Sequence, residues 1–193
     1  MNSQEALATS GDAKARIVDA GIRCVIRDGM GGASMSSIAA EGGVSKALLH
    51  YHFADRAELL AEVVTQLGRR IVAREALAIK TSNAENPVDA VWRWVQGELA
   101  CGELRALLAL ATVKDAEVRH ALADVSVQRH AIAAKTVMHT YQRLALVPRF
   151  PAEVIAGASL AFLDGLALDH EYGARDPRVS FDVLWLALLG FGE

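Results

Sequence analysis

Apolar residues recur along this chain at the three- and four-residue spacing of amphipathic helices. No long alternation of β-branched and polar residues marks a strand, and no proline precedes position 87, so glycine alone interrupts the first part of the chain. We therefore predict an all-α fold. The predicted helices cover residues 13–28, 35–41, 46–53, 56–80, 87–101, 103–113, 116–146, 152–172 and 179–190.

The composition is that of a folded chain with a sizeable core. Of the 193 residues, 52% are hydrophobic, which argues against disorder. The most apolar stretches begin at Val154 and Val183 and are well short of the ~20 residues that a membrane-spanning helix needs. Cys24 and Cys101 stand far apart and indicate neither a disulfide framework nor a zinc site. Because the first residues lack a secretory signal, we expect a cytoplasmic protein that does not contact membrane.

Motifs of enzymes and cofactor sites are missing from the sequence. None of G-x-S-x-G, H-E-x-x-H or G-K-[ST] occurs, and in GMGGAS (residues 29–34) a serine stands where a phosphate-binding loop needs its third glycine. We predict that the protein is not an enzyme and holds no metal and no cofactor. An active site can assemble from distant residues, so a helical enzyme stays an alternative. The histidines of the second half lack zinc-motif spacing: His120, His130, His139 and His170.

A glycine turn separates the second and third predicted helices. Ile38 and Leu49 stand eleven residues apart, about three helical turns. Small Ala39 lies four residues before Gly43, and apolar Val44 follows that glycine directly. A helix-turn-helix needs this order, because its helices cross closely at the small residue and the glycine makes the turn. The segment therefore predicts a helix-turn-helix.

Serines begin both short helices of this motif. Ser34 is the predicted N-cap of the first and Ser45 of the second. Leu49 and Phe53 face inward from the second helix, which at about 10 Å long fits one end into a major groove about 12 Å wide. Its outward face, the predicted reading surface, carries Lys46, Ala47, His50 and Tyr51.

The charge pattern requires any contact with nucleic acid to be local. The formal net charge is −3, and residues 1–56 hold six Lys and Arg against six Asp and Glu. A few placed side chains and helix N-termini must therefore make the contacts, without the help of a broadly basic surface.

Residues 13–62 resemble the DNA-binding domain of the tetracycline-repressor (TetR) family of bacterial regulators. The resemblance rests on Ile17, Ala20 and Gly29, on the segment SMSSIAAEGGVSKALLHYHF and on the ADRAELL that follows it. It implies a transcriptional regulator, by default a repressor, that binds a palindromic DNA operator as a homodimer and releases it when a small-molecule effector binds. Activation stays open, as does a ligand-binding protein without operator binding.

The same resemblance implies a domain organisation. A flexible N-terminus over residues 1–11 precedes a three-helix helix-turn-helix DNA-binding domain over 12–56. A helical effector-binding and dimerisation domain then covers 57–193.

Two positions depart from the family pattern: His50 stands where the family has a phosphate-contacting tyrosine or tryptophan, and Arg56 replaces a lysine. His50 and His52 point about 200° apart on a helix, so they do not share a metal ion. We interpret His52 as a packed or capping histidine rather than as a residue that contacts a base. The DNA contacts that we predict are Ser34, Ser45, Lys46, Ala47, Leu48, His50, Tyr51, His52 and Arg56.

The last two predicted helices are apolar nearly all round and need cover on two sides. One side is the chain's own domain, and we predict that the other is a second copy in a two-fold dimer, joined by a four-helix bundle as in the family. Asp164 lies within the apolar AFLDGLAL and needs a partner, for which we favour a hydrogen bond across the dimer. The predicted interface residues are Ile155, Phe162, Leu166, Trp185 and Leu189.

The resemblance also implies an effector pocket among the helices of the C-terminal domain. Large side chains at helical spacing are more often ordinary core than ligand contacts, so both readings stay open. The candidate pocket residues are Trp92, Trp94, Met138, Tyr141 and Phe162.

Overall fold

A computed structural model describes residues 3–81, 86–173 and 176–190. Within these ranges the chain forms nine α-helices and no strand, as the apolar spacing predicts. The helices are α1 (Ser3–Gly32), α2 (Met35–Glu41), α3 (Lys46–His52), α4 (Arg56–Thr81), α5 (Pro87–Cys101), α6 (Glu103–Leu110), α7 (Ala116–Arg143), α8 (Ala152–Tyr172) and α9 (Pro177–Leu189).

Some helix ends differ from the predicted ones. α1 begins at Ser3, well before residue 13, and α6 and α7 end at Leu110 and Arg143, before residues 113 and 146. α9 begins at Pro177 because the side chain of Asp176 accepts a hydrogen bond from the first turn, where proline is also favoured.

Gly29 interrupts α1 near its end. Its φ of 63° and ψ of −159° lie outside the helical range, so two helical segments meet there at a kink. Glycine adopts this φ without the Cβ clash of other residues. The helix end predicted at Gly29 is therefore the point where the regular helix stops, although a further helical segment follows to Gly32.

The chain divides into two compact units. The first takes in the chain up to Leu67 together with Ala106–Val125, and the second takes in Gly68–Arg105 and the chain from Ser126 onward. The division thus falls inside α4, which gives residues to both units. A functional boundary after residue 56 stays a prediction.

In the first unit, α1 to α4 share one apolar core. Ile17, Ile38, Leu49 and Leu60 are fully buried, and Phe53 closes the core just after α3. Each comes from the apolar stripe of its helix, as the spacing predicts. Burial of a side chain of this size stabilises a fold by about 1.5–3 kcal/mol.

Gly21 allows α1 to approach α4 closely. A Cβ added at this glycine would lie 2.8 Å from Cγ2 of Val63, nearer than real Cβ contacts come. The two helices therefore pack at a distance that a larger residue at position 21 would increase.

The second unit has its own core, built from α5, α7, α8 and α9. The rings of Trp92 and Phe181 lie 5.0 Å apart, and Trp185 lies 6.0 Å beyond Phe181. The hydroxyl of Tyr141 is buried and donates to the carbonyl oxygen of Leu188. None of the described helices combines the length and apolarity needed to cross a bilayer.

Asp164 finds its partner within its own chain. The Arg129 guanidinium donates to both carboxylate oxygens, at 2.5 and 3.3 Å. The partner that Asp164 needs is therefore supplied within its own chain, and a hydrogen bond across the dimer stays a prediction. The sequence of α7 indicates that Arg129 is buried. This residue continues an apolar stripe, four residues after Val125 and four before Ala133, and so lies against the core.

Candidate DNA-binding surface and effector site

Serine caps hold the two short helices of the helix-turn-helix in place. Oγ of Ser34 accepts from the backbone N–H of Ser37 at 3.0 Å, and Oγ of Ser45 accepts from that of Leu48 at 3.1 Å. Both predicted N-caps are confirmed. Each bond satisfies one of the backbone donors that a helix N-terminus leaves unpaired.

The turn between α2 and α3 is built on Gly42 and Gly43. Gly43 has a φ of 61°, in the left-handed region that favours glycine. A Cβ at Gly42 would lie only 3.3 Å from the Cβ of Ala20, so this residue sets the approach of the turn to α1. The Val44 N–H donates to the Ala39 carbonyl at 3.0 Å and closes the turn.

The outward face of α3 is exposed as predicted. Lys46, Ala47 and His50 lie on the surface, and the Tyr51 side chain is 76% exposed. Leu48 is exposed too. Within the described part of the chain Lys46 makes no recorded ion pair, so its ammonium group is available to a phosphate or a base edge.

His52 is less accessible than its neighbours on α3. Its Nε2 is buried and has no hydrogen-bond partner among the described residues, while its ring meets that of Tyr51 edge-on at 5.2 Å. This placement agrees with the packed histidine that we favoured. A direct base contact by His52 stays a prediction.

Arg56 is engaged inside the first unit. Its Nε donates to the Ala33 carbonyl at 2.8 Å, and Nη2 lies 3.5 Å from the Met30 carbonyl. These bonds tie the connection between α1 and α2 to the start of α4. We therefore assign Arg56 a positioning role, and its contact with a DNA phosphate stays a prediction.

Ion pairs fix α2 against α1. Glu41 accepts from Arg23 and from Arg27, each at 2.7 Å, and these hydrogen bonds lower the pKa of its carboxyl group. Arg23 and Arg27 are therefore committed to this contact, which leaves α3 as the better candidate for reading DNA. The motifs alone did not reveal this pairing.

The second unit contains two narrow adjoining cavities, which we call together the Glu75 cleft. The larger holds about 410 Å³ of space free of atoms and the smaller about 270 Å³, counting the part open to solvent. A ligand larger than water needs some lining side chains to move. Both cavities are lined by Glu75, Val91, Trp94 and Thr136.

Glu75 is the unusual residue of the cleft. Its side chain is only 3% exposed, and its Oε1 accepts from the Thr136 hydroxyl at 2.6 Å. Burial raises the pKa of Glu75 to about 7, although the hydrogen bond from Thr136 and the charge of Arg129 lower it. Sequence reasoning missed Glu75, but the signal exists: it follows Leu67 and Ile71 at four-residue steps, in the apolar stripe of α4.

Among the predicted effector contacts, Trp94 lines the cleft and the others lie elsewhere. Trp92 and Tyr141 belong to the core of the second unit, and Phe162 packs against that core. Met138 lines a separate open groove formed by α7 and the start of α8. Trp94 lines the cleft because its side chain lies between α4 and α7. Trp92, two residues earlier, packs on Phe181 instead.

The predicted dimer residues also need correction. Ile155, Leu166 and Trp185 are buried in the chain's own core, and Phe162 and Leu189 pack against it. The buried three have little surface left for a partner, whereas Phe162 and Leu189 are part exposed and stay predicted interface residues. α8 and α9 instead expose a different set of apolar residues, which comprises Val154, Leu168, Val179, Val183 and Leu186.

Comparisons with known proteins agree with the helix-turn-helix. Residues 17–63 match the family model described as bacterial regulatory proteins, tetR family. The chain is 24% identical to the nicotine-responsive transcriptional repressor HdnoR of Paenarthrobacter nicotinovorans, covering 86% of this chain and 88% of that protein. It is 29% identical to the transcriptional regulator BetI of Agrobacterium fabrum, covering 80% and 74%.

Solved structures share the fold of the whole chain. A transcriptional regulator from Saccharomonospora viridis, in complex with choline, superposes with a TM-score of 0.74 at 21% identity, covering 95% of this chain and 99% of that one. A TetR-family regulator from a Rhodococcus species gives 0.73 at 19% identity, covering 95% and 100%. The capped, exposed α3 lies within the matched residues 17–63, and the similar proteins are transcriptional regulators, so this chain is similar to DNA-binding regulators of the TetR family.

Proposed function

We propose that this regulator is a repressor that binds a palindromic operator as a homodimer and releases it when a small molecule enters the Glu75 cleft. The observation that carries the proposal is the pairing of an exposed reading face on α3 with a largely apolar cleft in the second unit that holds the buried Glu75 carboxyl group. The exposed face of α3 suits contact with DNA, and the Glu75 cleft suits a small-molecule ligand.

The α3 surface supports major-groove binding. One short helix reaches only a few base pairs, so two copies related by a two-fold axis supply the specificity that one lacks. Lys46 offers a cation and Tyr51 a hydroxyl on the exposed face. Exposed Ala47 and Leu48 offer apolar contacts of the kind that thymine methyl groups accept.

The exposed apolar residues of α8 and α9 support the dimer. Val183 and Leu186 are among the most exposed large apolar residues of the second unit, at 63% and 72%. Large apolar side chains exposed together on the helices of one unit are typical of an interaction site. We assign the two-fold contact to this face, and not to the buried residues of the same helices.

The relatives support regulation by a small molecule. One is a nicotine-responsive repressor, and one structural neighbour is a complex with choline. In this chain, α4 carries both Arg56, which supports the helix-turn-helix, and Glu75 of the cleft. A change at Glu75 therefore acts on a helix that also belongs to the DNA-binding unit.

Selection of genomic DNA fragments by the purified protein tests this function. The Lys46→Ala, Tyr51→Ala double variant is compared with Lys114→Ala, which removes the same charge from an exposed residue outside the motif. We expect a palindrome to be enriched by the wild-type protein and by Lys114→Ala but not by the double variant. Equal enrichment by all three, or none by any, would contradict operator reading by α3 and favour a ligand-binding protein without operator specificity.

A further inference from the structure

The Glu75 carboxyl group lacks a balancing cation. Among the described residues, no lysine, arginine or histidine forms an ion pair with it, and Thr136 supplies its recorded hydrogen bond through Oε1 alone. The nearby charges pair elsewhere: Arg129 binds Asp164 through both Nη atoms, while its buried Nε has no partner among the described residues, and Arg74 pairs with Glu98 and Glu103. Oε2 of Glu75 therefore remains for a further donor.

Trp94 carries an unpaired hydrogen-bond donor in the same cleft. Its indole Nε1 is buried and finds no acceptor among the described residues. An indole N–H only donates, and leaving a buried donor unpaired is unfavourable. Because Trp94 and Glu75 line the same two cavities, the cleft holds one unsatisfied donor and one underused acceptor.

The remaining walls of the larger cavity are apolar or already satisfied. The Ser159 hydroxyl donates to the Ile155 carbonyl at 2.9 Å, so its hydrogen is already bonded. Such a wall suits a hydrocarbon body attached to a few polar atoms. The apolar lining consists of Val91, Val95, Ala133, Val137, Leu160, Leu163, Phe181, Leu184 and the ring of Trp185.

We propose that the ligand of the Glu75 cleft is a small organic amine, bound as its protonated cation. Its N–H donates to the Glu75 carboxylate, an oxygen or nitrogen acceptor of the same molecule accepts from Trp94 Nε1–H, and its hydrocarbon part packs on the apolar walls. This inference rests on the proposed function only for its regulatory consequence, because binding itself needs no DNA. The geometry disfavours carboxylate ligands, which the ionised form of Glu75 would repel.

A neutral ligand is the competing occupant, and pH separates the two. Burial raises the pKa of Glu75 to about 7, so its carboxyl group is part protonated near neutrality. A cation binds the ionised form, so its affinity rises with pH from 6 to 8, within the range where the amine stays protonated. A neutral acceptor binds the protonated form, so its affinity falls over the same range. His139 of the smaller cavity and the neighbouring Arg129 and Glu98 are the other titratable groups near Glu75.

The experiment measures binding to the full-length protein by thermal shift and calorimetry with matched probes. The probes are 4-methoxybenzylamine, 4-methoxybenzyl alcohol and 4-methoxybenzoate, extended to a set of aliphatic and aromatic amines, each with its own alcohol and carboxylate. The variants are Glu75→Gln, Trp94→Phe and, as a matched control, Glu153→Gln, which removes an exposed carboxylate outside the cleft.

We expect amines to bind and their alcohols and carboxylates not to. Glu75→Gln should weaken amine binding roughly 10- to 100-fold, since a hydrogen bond to a charged group is lost. Trp94→Phe should weaken only the amines that carry an acceptor, and Glu153→Gln should change nothing. Binding of alcohols or carboxylates in preference to amines, no binding by any amine, or amine binding unaffected by Glu75→Gln would overturn the proposal.

Release from the selected DNA fragment is measured in parallel, so that the two proposals fail separately. An amine that binds the cleft through Glu75 but leaves operator affinity unchanged refutes effector release and leaves the ligand assignment intact. Release by a neutral or anionic compound refutes the assignment and leaves effector release intact.

Discussion

Arg129 of α7 and Asp164 of α8 form a two-point ion pair within the second unit, with N–O distances of 2.5 and 3.3 Å. Arg129 is almost fully buried, so its charge depends on Asp164 for compensation. The pair explains how α8 carries a carboxylate in its apolar sequence without contact to another subunit.

Removal of one partner of this pair should therefore destabilise the protein strongly. For Asp164→Ala we expect a loss of about 3–5 kcal/mol in the free energy of unfolding, because a buried guanidinium is left unpaired. Replacement of both residues, as Arg129→Met with Asp164→Leu, should recover most of that loss. Urea unfolding at fixed protein concentration measures both, and an unaltered midpoint for Asp164→Ala would contradict the role of the pair.

Gly43 should be the sensitive residue of the helix-turn-helix turn. Its φ of 61° is unfavourable for any residue with a Cβ, and alanine there should lower the free energy of unfolding by about 1 kcal/mol. Gly31 lies in the last helical segment of α1, its added Cβ meets nothing within 4 Å and its φ is not positive, so Gly31→Ala serves as the control. Equal midpoints for the two variants would show that the turn tolerates a side chain.

Two neighbouring residues of α9 should respond differently to the same substitution. Leu186 is 72% exposed, so Leu186→Asp should split the dimer while each chain stays folded. Trp185 is buried among Phe181 and other core side chains, so Trp185→Asp should unfold the second unit.

Sedimentation and circular dichroism distinguish these outcomes. Leu77→Asp places the same charge on an exposed leucine of α4 and should leave a folded dimer. If the Leu186→Asp protein sediments like the Leu77→Asp control, the proposed dimer face is wrong.

Glu75 should make stability depend on pH. Its pKa is about 7 in the folded chain against an ordinary 4.5, so between these values the folded state keeps a proton that the unfolded state has released. Stability should therefore fall as pH rises from about 4.5 to about 7, by up to ~3 kcal/mol. Glu75→Gln should remove this fall.

Unfolding curves across pH test this assignment. His139 also lines the cleft and carries an ionisable imidazole, so His139→Gln is the control and should keep most of the slope. A slope that persists in Glu75→Gln and disappears in His139→Gln would assign the effect to the histidine. An amine ligand should flatten the slope in the wild type, because it holds the carboxylate ionised.

Local patterns predicted most of the fold because they act over short distances. The caps at Ser34 and Ser45 lie where a serine precedes an apolar stripe, and both accept a hydrogen bond from their helix. The fully exposed face of α3 followed from the same spacing. These features depend on neighbours three or four residues away, which the sequence displays directly.

The cleft and the dimer face were harder to predict because they depend on how distant helices meet. Trp92 and Trp94 are both aromatic residues of α5, but only the packing of α9 against Trp92 decides that Trp94 faces the cleft. On α9, apolar residues occur nearly all round, so periodicity does not separate the buried Trp185 from the exposed Leu186. For the cleft, the sequence still offers one indication, which is a polar residue such as Glu75 within an apolar stripe.

The salt dependence of operator binding tests whether α3 reads DNA. Fluorescence anisotropy gives the affinity for the selected fragment across salt concentrations, for the wild type, Lys46→Ala and Lys114→Ala. We expect Lys46→Ala to weaken binding and, if Lys46 contacts a phosphate, to lower the slope of log affinity against log salt by about 0.9 per phosphate lost in each protomer. Unchanged affinity and slope in Lys46→Ala, equal to those of Lys114→Ala, would contradict DNA reading by α3.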